Sequence, residues 1–176
     1  QLPPNFEKPY LASSVRDFWR RWHMTLSRWL RDFLYIPLGG NQRGFPRTIL
    51  ALFFTMVLGG IWHGSAWTFI IWGAIHGVFL IIERSIEKAG ISFDSVPTFL
   101  KIFMTFNITT FAWVFFRAKG FDQALNIFQG ILVTPDYSLL FRYPFVLFSI
   151  ALVLISHRWD SKEDIVRLAK YVPNAV

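Results

Sequence analysis

The sequence contains no cysteine, so disulfides, thiol nucleophiles and thiolate metal sites are excluded. Charged residues are also scarce: they make up 16% of the chain, against roughly 25% in typical soluble domains. The chain lacks a Gly-x-Ser-x-Gly nucleophile elbow and a His-Glu-x-x-His zinc motif. Hydrophobic residues make up 53% of it and aromatic residues 19%. These features predict an all-α, multi-pass helical membrane protein without a metal site.

The formal net charge is +7, which raises the question of nucleic-acid binding. The basic residues, however, flank apolar runs instead of forming a separate basic domain. That pattern is typical of contact with anionic lipid next to membrane spans. We therefore predict the lipid bilayer, and no nucleic acid, as a partner.

The chain begins at Gln1 in loop-like sequence, without a basic-then-apolar signal segment. Three or four hydrophobic segments make only a small bundle. We therefore expect residues 1–176 to be the C-terminal part of one longer integral membrane domain.

A charge-free run extends from residue 48 to residue 82, between Arg47 and Glu83. As one straight helix it would be about 52 Å long, against a hydrocarbon core of roughly 30 Å. Crossing once would need a tilt near 55°, beyond the usual range of about 0–40°. The segment must therefore break or turn back, and the natural places are Gly59, Gly60 and Gly64.

His63 lies near the middle of this run, where an ionisable side chain indicates a functional site. In a dry environment the imidazole is expected to be neutral and able to accept a proton, as a general base must. The alternative is a structural histidine that hydrogen-bonds across helices. The flanking glycines favour function, because small residues let a substrate approach closely.

Residues 14–35 predict one amphipathic helix lying in the membrane interface; the alternatives are a surface helix of a soluble domain or a helix that covers other spans. Ser14 followed by Asp17 is a capping-box-like start. One face is apolar and the other carries arginines, which we expect to face the cytoplasm. Met24 is the one apolar residue on the charged side.

The remaining segments complete the predicted organisation. Residues 36–47 are rich in Gly and Pro and lack a phosphate-binding motif, so they predict a turn. Residues 98–116 predict a span, and residues 140–156 predict a short membrane segment. Polar side chains in the span predict interhelical hydrogen bonds; they are Thr105, Asn107, Thr109 and Thr110.

Two further histidines, His23 and His76, lie within predicted helices. His23 lies at the edge of the amphipathic face, where interfacial hydrogen bonding is more common than catalysis. His76 follows His63 by 13 positions, so a continuous helix would separate them by about 20 Å and prevent a shared metal ion.

The sequence contains five distinctive motifs: DFWRRWHMTLS at 17–27, YIPLGGN at 35–41, GGIWHG at 59–64, WGAIHG at 72–77 and WVFFRA at 113–118. Together they closely resemble the bacterial branch of the membrane-bound O-acyltransferase family. This branch contains alginate O-acetylation proteins and the D-alanyl transfer proteins of teichoic acid.

The resemblance implies that His63 is the buried catalytic histidine and that His23 is its companion in catalysis. It favours a position at depth in the membrane for His63, in a broken or re-entrant helix. It also implies spans around a central tunnel, with part of the bundle upstream of Gln1. The implied location is the bacterial cytoplasmic (inner) membrane.

The expected function is transfer of an acyl group, such as acetyl, to a hydroxyl. The implied donor is a thioester such as acetyl-CoA or an acyl carrier, with no tightly bound cofactor. The implied acceptor is a cell-surface polysaccharide or a periplasmic or extracellular relay protein. The alternative is a non-catalytic scaffold or channel subunit of a polysaccharide modification or export complex, in which both histidines serve packing.

Overall fold

The computed structural model describes residues 4–133 and the single positions 135, 148, 151, 152 and 155. Within these residues the chain is helical and contains no strand, as predicted. It divides into two units, residues 1–128 and 129–176, and the site discussed below lies in the first. The helices are α1 Val15–Arg21, α2 Met24–Leu30, α3 Phe45–His63, α4 Trp67–Lys88, α5 Thr98–Arg117 and α6 Phe121–Leu132.

Three of these helices, α3, α4 and α5, are long and apolar enough to cross a membrane. α5 agrees with the span predicted at 98–116 to within one residue. The predicted segment at 140–156 lies largely outside the described residues.

The long charge-free run turns back on itself, as its length required. α3 and α4 form a hairpin whose connection is residues 64–66. Of the two forms that the length arithmetic left open, the structure has the full hairpin. α3 is about 28 Å long, and His63 is its last residue. The depth of His63 in the bilayer stays a prediction.

Glycines bring the two arms of the hairpin together. A Cβ atom at Gly60 would overlap the carbonyl oxygen of Phe69, and one at Gly73 would overlap that of Met56. A Cβ atom at Gly64 would lie 2.7 Å from the ring of Phe69. The expectation that glycines flanking His63 leave room for substrate is therefore wrong at Gly60 and Gly64, because protein atoms occupy that space.

The amphipathic segment is divided in two, although the sequence predicted one continuous helix. α1 ends before Trp22 and α2 starts after His23, which has a left-handed backbone with φ 44°. The predicted start is confirmed, since the Asp17 N–H donates to Ser14 Oγ at 3.0 Å. The carboxylate of Asp17 accepts in return from the Ser13 N–H, one residue earlier than in a capping box.

The two halves of this segment differ in burial. In α1, Val15, Phe18 and Trp19 are buried in the core of the first unit. Farther along, Trp29 is 47% exposed and Phe33 is 64% exposed. The first half thus packs against other helices, whereas the second half presents aromatic rings outward, as an interfacial segment requires.

The Gly- and Pro-rich segment before α3 is a turn, as predicted. Arg47 Nε donates to the Leu38 carbonyl at 2.9 Å, and Thr48 Oγ1 donates to the Gly40 carbonyl at 2.9 Å. These side chains satisfy carbonyl groups that the turn leaves unpaired.

Within residues 4–133, Thr105, Asn107 and Thr109 of α5 form no hydrogen bond to another helix, contrary to the prediction. The hydroxyls of Thr105 and Thr109 donate to carbonyls of α5 itself, as does the amide of Asn107. Such local bonds let a polar side chain lie in an apolar helix without a partner helix.

Candidate functional site

His63 is held by aromatic rings and leaves its own nitrogens unpaired. Its ring centroid lies 4.9 Å from Trp62, 5.4 Å from Trp72 and 5.0 Å from Phe116. We call these three rings the aromatic frame. The imidazole is half-buried, and no other described residue forms a side-chain hydrogen bond with it. The frame therefore orients the ring while leaving it free to exchange a proton with a bound molecule.

His23 occupies a strained backbone position between α1 and α2. Its φ of 44° is uncommon for a non-glycine residue. Asn5 imposes this turn from the start of the chain: its carbonyl accepts from the Met24 N–H, and its side-chain oxygen accepts from the Thr25 N–H. These bonds replace the cap that the His23 side chain does not supply. Strain that the surroundings impose is common at functional sites.

The structure brings the two predicted histidines to one aromatic cluster. Trp22, adjacent to His23, lies 5.1 Å from Trp113 between ring centroids. Trp113 lies 5.3 Å from Phe116, a member of the aromatic frame around His63. His23 itself joins this cluster through Phe6, whose ring centroid lies 6.1 Å from the His23 ring and 4.9 Å from Trp22.

His76 belongs to the same cluster, and sequence reasoning underestimated it. Its side chain is fully buried, and the indole Nε1 of Trp19 donates to its Nδ1 at 3.3 Å. Its ring lies 5.1 Å from Trp72, which also contacts His63. The 20 Å separation assumed one continuous helix and is wrong, because the hairpin turns both histidines toward Trp72. The four-residue spacing of Trp72 and His76 was the available signal, since it places both on one helix face.

Several buried polar atoms of this cluster have no hydrogen-bond partner among residues 4–133. Buried polar groups in folded proteins nearly always form hydrogen bonds, so buried atoms without a hydrogen-bond partner are notable. The cluster can therefore offer hydrogen bonds to a bound molecule. The atoms are His23 Nδ1, Trp72 Nε1, His76 Nε2 and Trp113 Nε1.

Metal ligation has no support in the described part of the chain. It contains no group of three or more His, Cys, Asp or Glu side chains that would hold a metal ion. His63 and His76 each contact rings rather than carboxylates.

A cavity of about 430 Å³ lies beside the cluster, between the amphipathic helices and the hairpin. The sequence did not predict it, although Met24, the one misfit of the amphipathic pattern, lines it together with Trp19. We call it the arginine-lined cavity after the basic residues in its lining, which are Arg16, Arg20, Arg28, Arg31 and Arg84.

The chain is similar to several bacterial transferases. A peptidoglycan O-acetyltransferase of Helicobacter pylori is 47% identical over 140 residues, which are 79% of this chain and 27% of that protein. A probable alginate O-acetylase of Pseudomonas aeruginosa is 46% identical over 72% of this chain and 24% of that protein. A teichoic acid D-alanyltransferase of Bacillus subtilis is 32% identical over 69% of this chain and 34% of that protein.

The chain thus spans about a quarter to a third of the length of these relatives. The family model of the membrane-bound O-acyltransferases matches residues 2–121, which include α1 to α5 and all three histidines of the aromatic cluster. The chain therefore belongs to the membrane-bound O-acyltransferase family.

Proposed function

We propose that the protein containing this chain transfers an acyl group, such as acetyl, from a thioester donor to a hydroxyl, with His63 as general base. The observation that carries the proposal is the accessible, unpaired imidazole of His63 in its aromatic frame, within a ring cluster that also includes a second histidine. The relatives support it, since their names describe O-acetyl or D-alanyl transfer to cell-surface polymers.

In the proposed reaction the acceptor hydroxyl gives its proton to a nitrogen of His63. The oxygen then forms a bond to the thioester carbonyl carbon, and the carbonyl electron pair moves to oxygen. When that pair returns, the carbon–sulfur bond breaks and the thiolate takes the proton from His63. Atoms and charges balance without a metal or redox group.

His23 assists the same step in this proposal. In the proposal His23 acts as a neutral imidazole while His63 carries the proton. A neutral imidazole can donate one N–H hydrogen bond to the developing oxyanion. The strained turn held by Asn5 keeps its ring at the cluster.

The proposed donor is a thioester such as acetyl-CoA or an acyl carrier, and no cofactor stays bound between turnovers. The acceptor is a cell-surface polysaccharide, or a periplasmic or extracellular protein that relays the group. The proposed location is the bacterial cytoplasmic membrane, which fits the three span-length helices. The polysaccharide follows the relatives' substrates, which are peptidoglycan, alginate and teichoic acid.

The test uses the full-length protein with its partners in membranes and measures consumption of acetyl thioester. His63→Ala and His63→Gln should lower transfer by about 10²-fold or more, as loss of a general base does. Expression and thermal stability in detergent should stay near wild type, because the aromatic frame remains. Undiminished transfer by a well-folded His63→Ala protein would refute the proposal, and a wild-type protein that consumes no donor would favour a scaffold.

A further inference from the structure

The arginine-lined cavity has positive charge that the described residues do not neutralise. Arg16 and Arg84 share the carboxylate of Glu87, at 3.0 and 2.9 Å. Arg20 and Arg28 have no acidic partner within salt-bridge distance in the described ranges. Both line the cavity from α1 and α2, and both are exposed. Two free guanidinium groups therefore face the same opening.

The lining of the cavity also includes one unused hydroxyl. Thr55 Oγ1 is buried and lacks a partner in the described part of the chain, although Thr55 lines the cavity. A buried hydroxyl without a partner is unfavourable, so an acceptor atom placed beside it would be stabilised. The cavity also has an apolar wall, to which α2, α3 and α4 contribute Leu30, Leu52, Met56 and Leu80.

We propose that this cavity binds an anionic phospholipid. The phosphate lies between Arg20 and Arg28, because planar guanidinium groups match phosphate oxygens in pairs. An ester carbonyl accepts the Thr55 hydroxyl, and one acyl chain extends along the apolar wall. A phospholipid is the molecule that combines a phosphate, an ester carbonyl and an alkyl chain within one bilayer leaflet.

The surroundings of the cavity favour a lipid over a soluble phosphate. Trp29 and Phe33 are exposed on the amphipathic segment beside it, which suits the headgroup level of a membrane. The volume of about 430 Å³ lies within the range of small-molecule sites. This lipid site does not depend on acyl transfer at His63 and holds equally for a scaffold.

A soluble phosphorylated thioester also contains a phosphate and a carbonyl group. The test must therefore distinguish it from a phospholipid. The full-length protein in detergent is titrated with short-chain phosphatidylglycerol, with the matching phosphatidylcholine, and with coenzyme A. Native mass spectrometry counts bound molecules. Two variants probe the site: the double variant Arg20→Gln/Arg28→Gln, and Thr55→Val, which removes the hydroxyl at nearly equal volume. The charge-matched control is Arg43→Gln/Lys119→Gln, whose residues are exposed and do not line the cavity.

We expect phosphatidylglycerol to bind saturably and more tightly than phosphatidylcholine. The double arginine variant should weaken this binding roughly 30-fold, as two phosphate-facing cations would, while the control stays within about twofold. Equal binding of both lipids, or equal weakening in the control, would overturn the proposal. Displacement of the lipid by coenzyme A would also overturn it and assign the cavity to the soluble donor. Thr55→Val keeps the test valid if the double variant folds poorly.

Discussion

The indole nitrogen of Trp19 donates a hydrogen bond to Nδ1 of His76 across 57 positions of sequence. Because Nδ1 accepts, the proton of the imidazole is on Nε2. The bond joins α1 to α4 within the core, directly behind Trp72 of the aromatic frame. Trp19 and His76 therefore both pack against Trp72, the ring that contacts His63.

The first prediction concerns this bond. Trp19→Phe keeps an aromatic ring but leaves Nδ1 of His76 buried without a partner. Such a loss costs about 1–3 kcal/mol. The thermal unfolding midpoint of the full-length protein in detergent should fall, while Trp29→Phe, at an exposed position of α2, should leave it unchanged. Equal midpoints for Trp19→Phe and wild type would contradict the role of the bond.

The second prediction concerns the anchoring of α1 to α4. The carboxylate of Glu83 accepts from the Val15 N–H at 2.5 Å and from the Arg16 N–H at 3.0 Å, so it caps the start of α1 from another helix. Glu83→Ala should cost about 1–2 kcal/mol, as the loss of a helix cap does.

Hydrogen exchange gives the measurement for this anchor. The amides of Val15 and Arg16 should exchange faster in Glu83→Ala, since the carboxylate that accepts from both is lost. Glu87→Ala removes only the exposed ion pair of Glu87 with Arg16 and Arg84 and leaves the backbone cap intact, so it separates the loss of that ion pair from the loss of the cap. Unchanged protection of α1 in the Glu83 variant would show that packing alone holds α1 in place.

The third prediction concerns the close contact of α3 with α4. Gly60→Ala would force a methyl group into the backbone of α4, so the hairpin must open. Overpacking of this kind costs about 1–3 kcal/mol or more. Gly130→Ala in α6 meets open space within 4 Å and should be neutral or slightly stabilising. Thermal stability measured for both variants tests the difference, and equal effects would contradict tight packing.

The fourth prediction separates structure from chemistry at His23. Glycine adopts left-handed φ without strain, so His23→Gly should keep or raise stability by up to about 1 kcal/mol. Under the proposed mechanism its acyl transfer should nevertheless fall, with kcat affected more than KM. Full transfer by a stable His23→Gly protein would assign His23 to packing.

Asn5→Ala should lower stability, because it removes the cap on Thr25.

The fifth prediction concerns alkaline pH. Burial raises the pKa of the Tyr35 phenol, and the nearby Arg84 opposes this effect. The phenol donates a hydrogen bond to Asn41 Oδ1 only while protonated. A pKa raised by folding means that its stabilisation is complete below the ordinary tyrosine range near 10 and is lost as pH rises through the folded pKa. Unfolding midpoints between pH 8 and about 11 should therefore fall less in Tyr35→Phe than in wild type.

Local patterns predicted the helices because the forces that form them act over a few residues. The hydropathy of 98–116 marked α5, and Ser14 marked the start of α1. The length of the run at 48–82 required a break or a return, since a bilayer has a fixed thickness. His63 was predicted to be functional because it is an ionisable residue within that run.

Contacts between distant residues decided the rest. The break at His23 depends on Asn5, about 20 positions away, so helical periodicity alone predicted a continuous helix. The role of Gly60 was misread because only the folded hairpin shows that a carbonyl of α4 lies against it. Likewise, whether the α5 threonines donate hydrogen bonds to their own helix or to another depends on which helices pack beside α5.

The sequence by itself determined the class of protein, the span-length helices and the candidate histidine, because composition, period and length are properties of a single chain. Only the tertiary structure decided that His23, His63 and His76 share one aromatic cluster and that an arginine-lined cavity lies beside it. Those features require α1 to pack on the hairpin, and packing depends on shapes that meet only after folding.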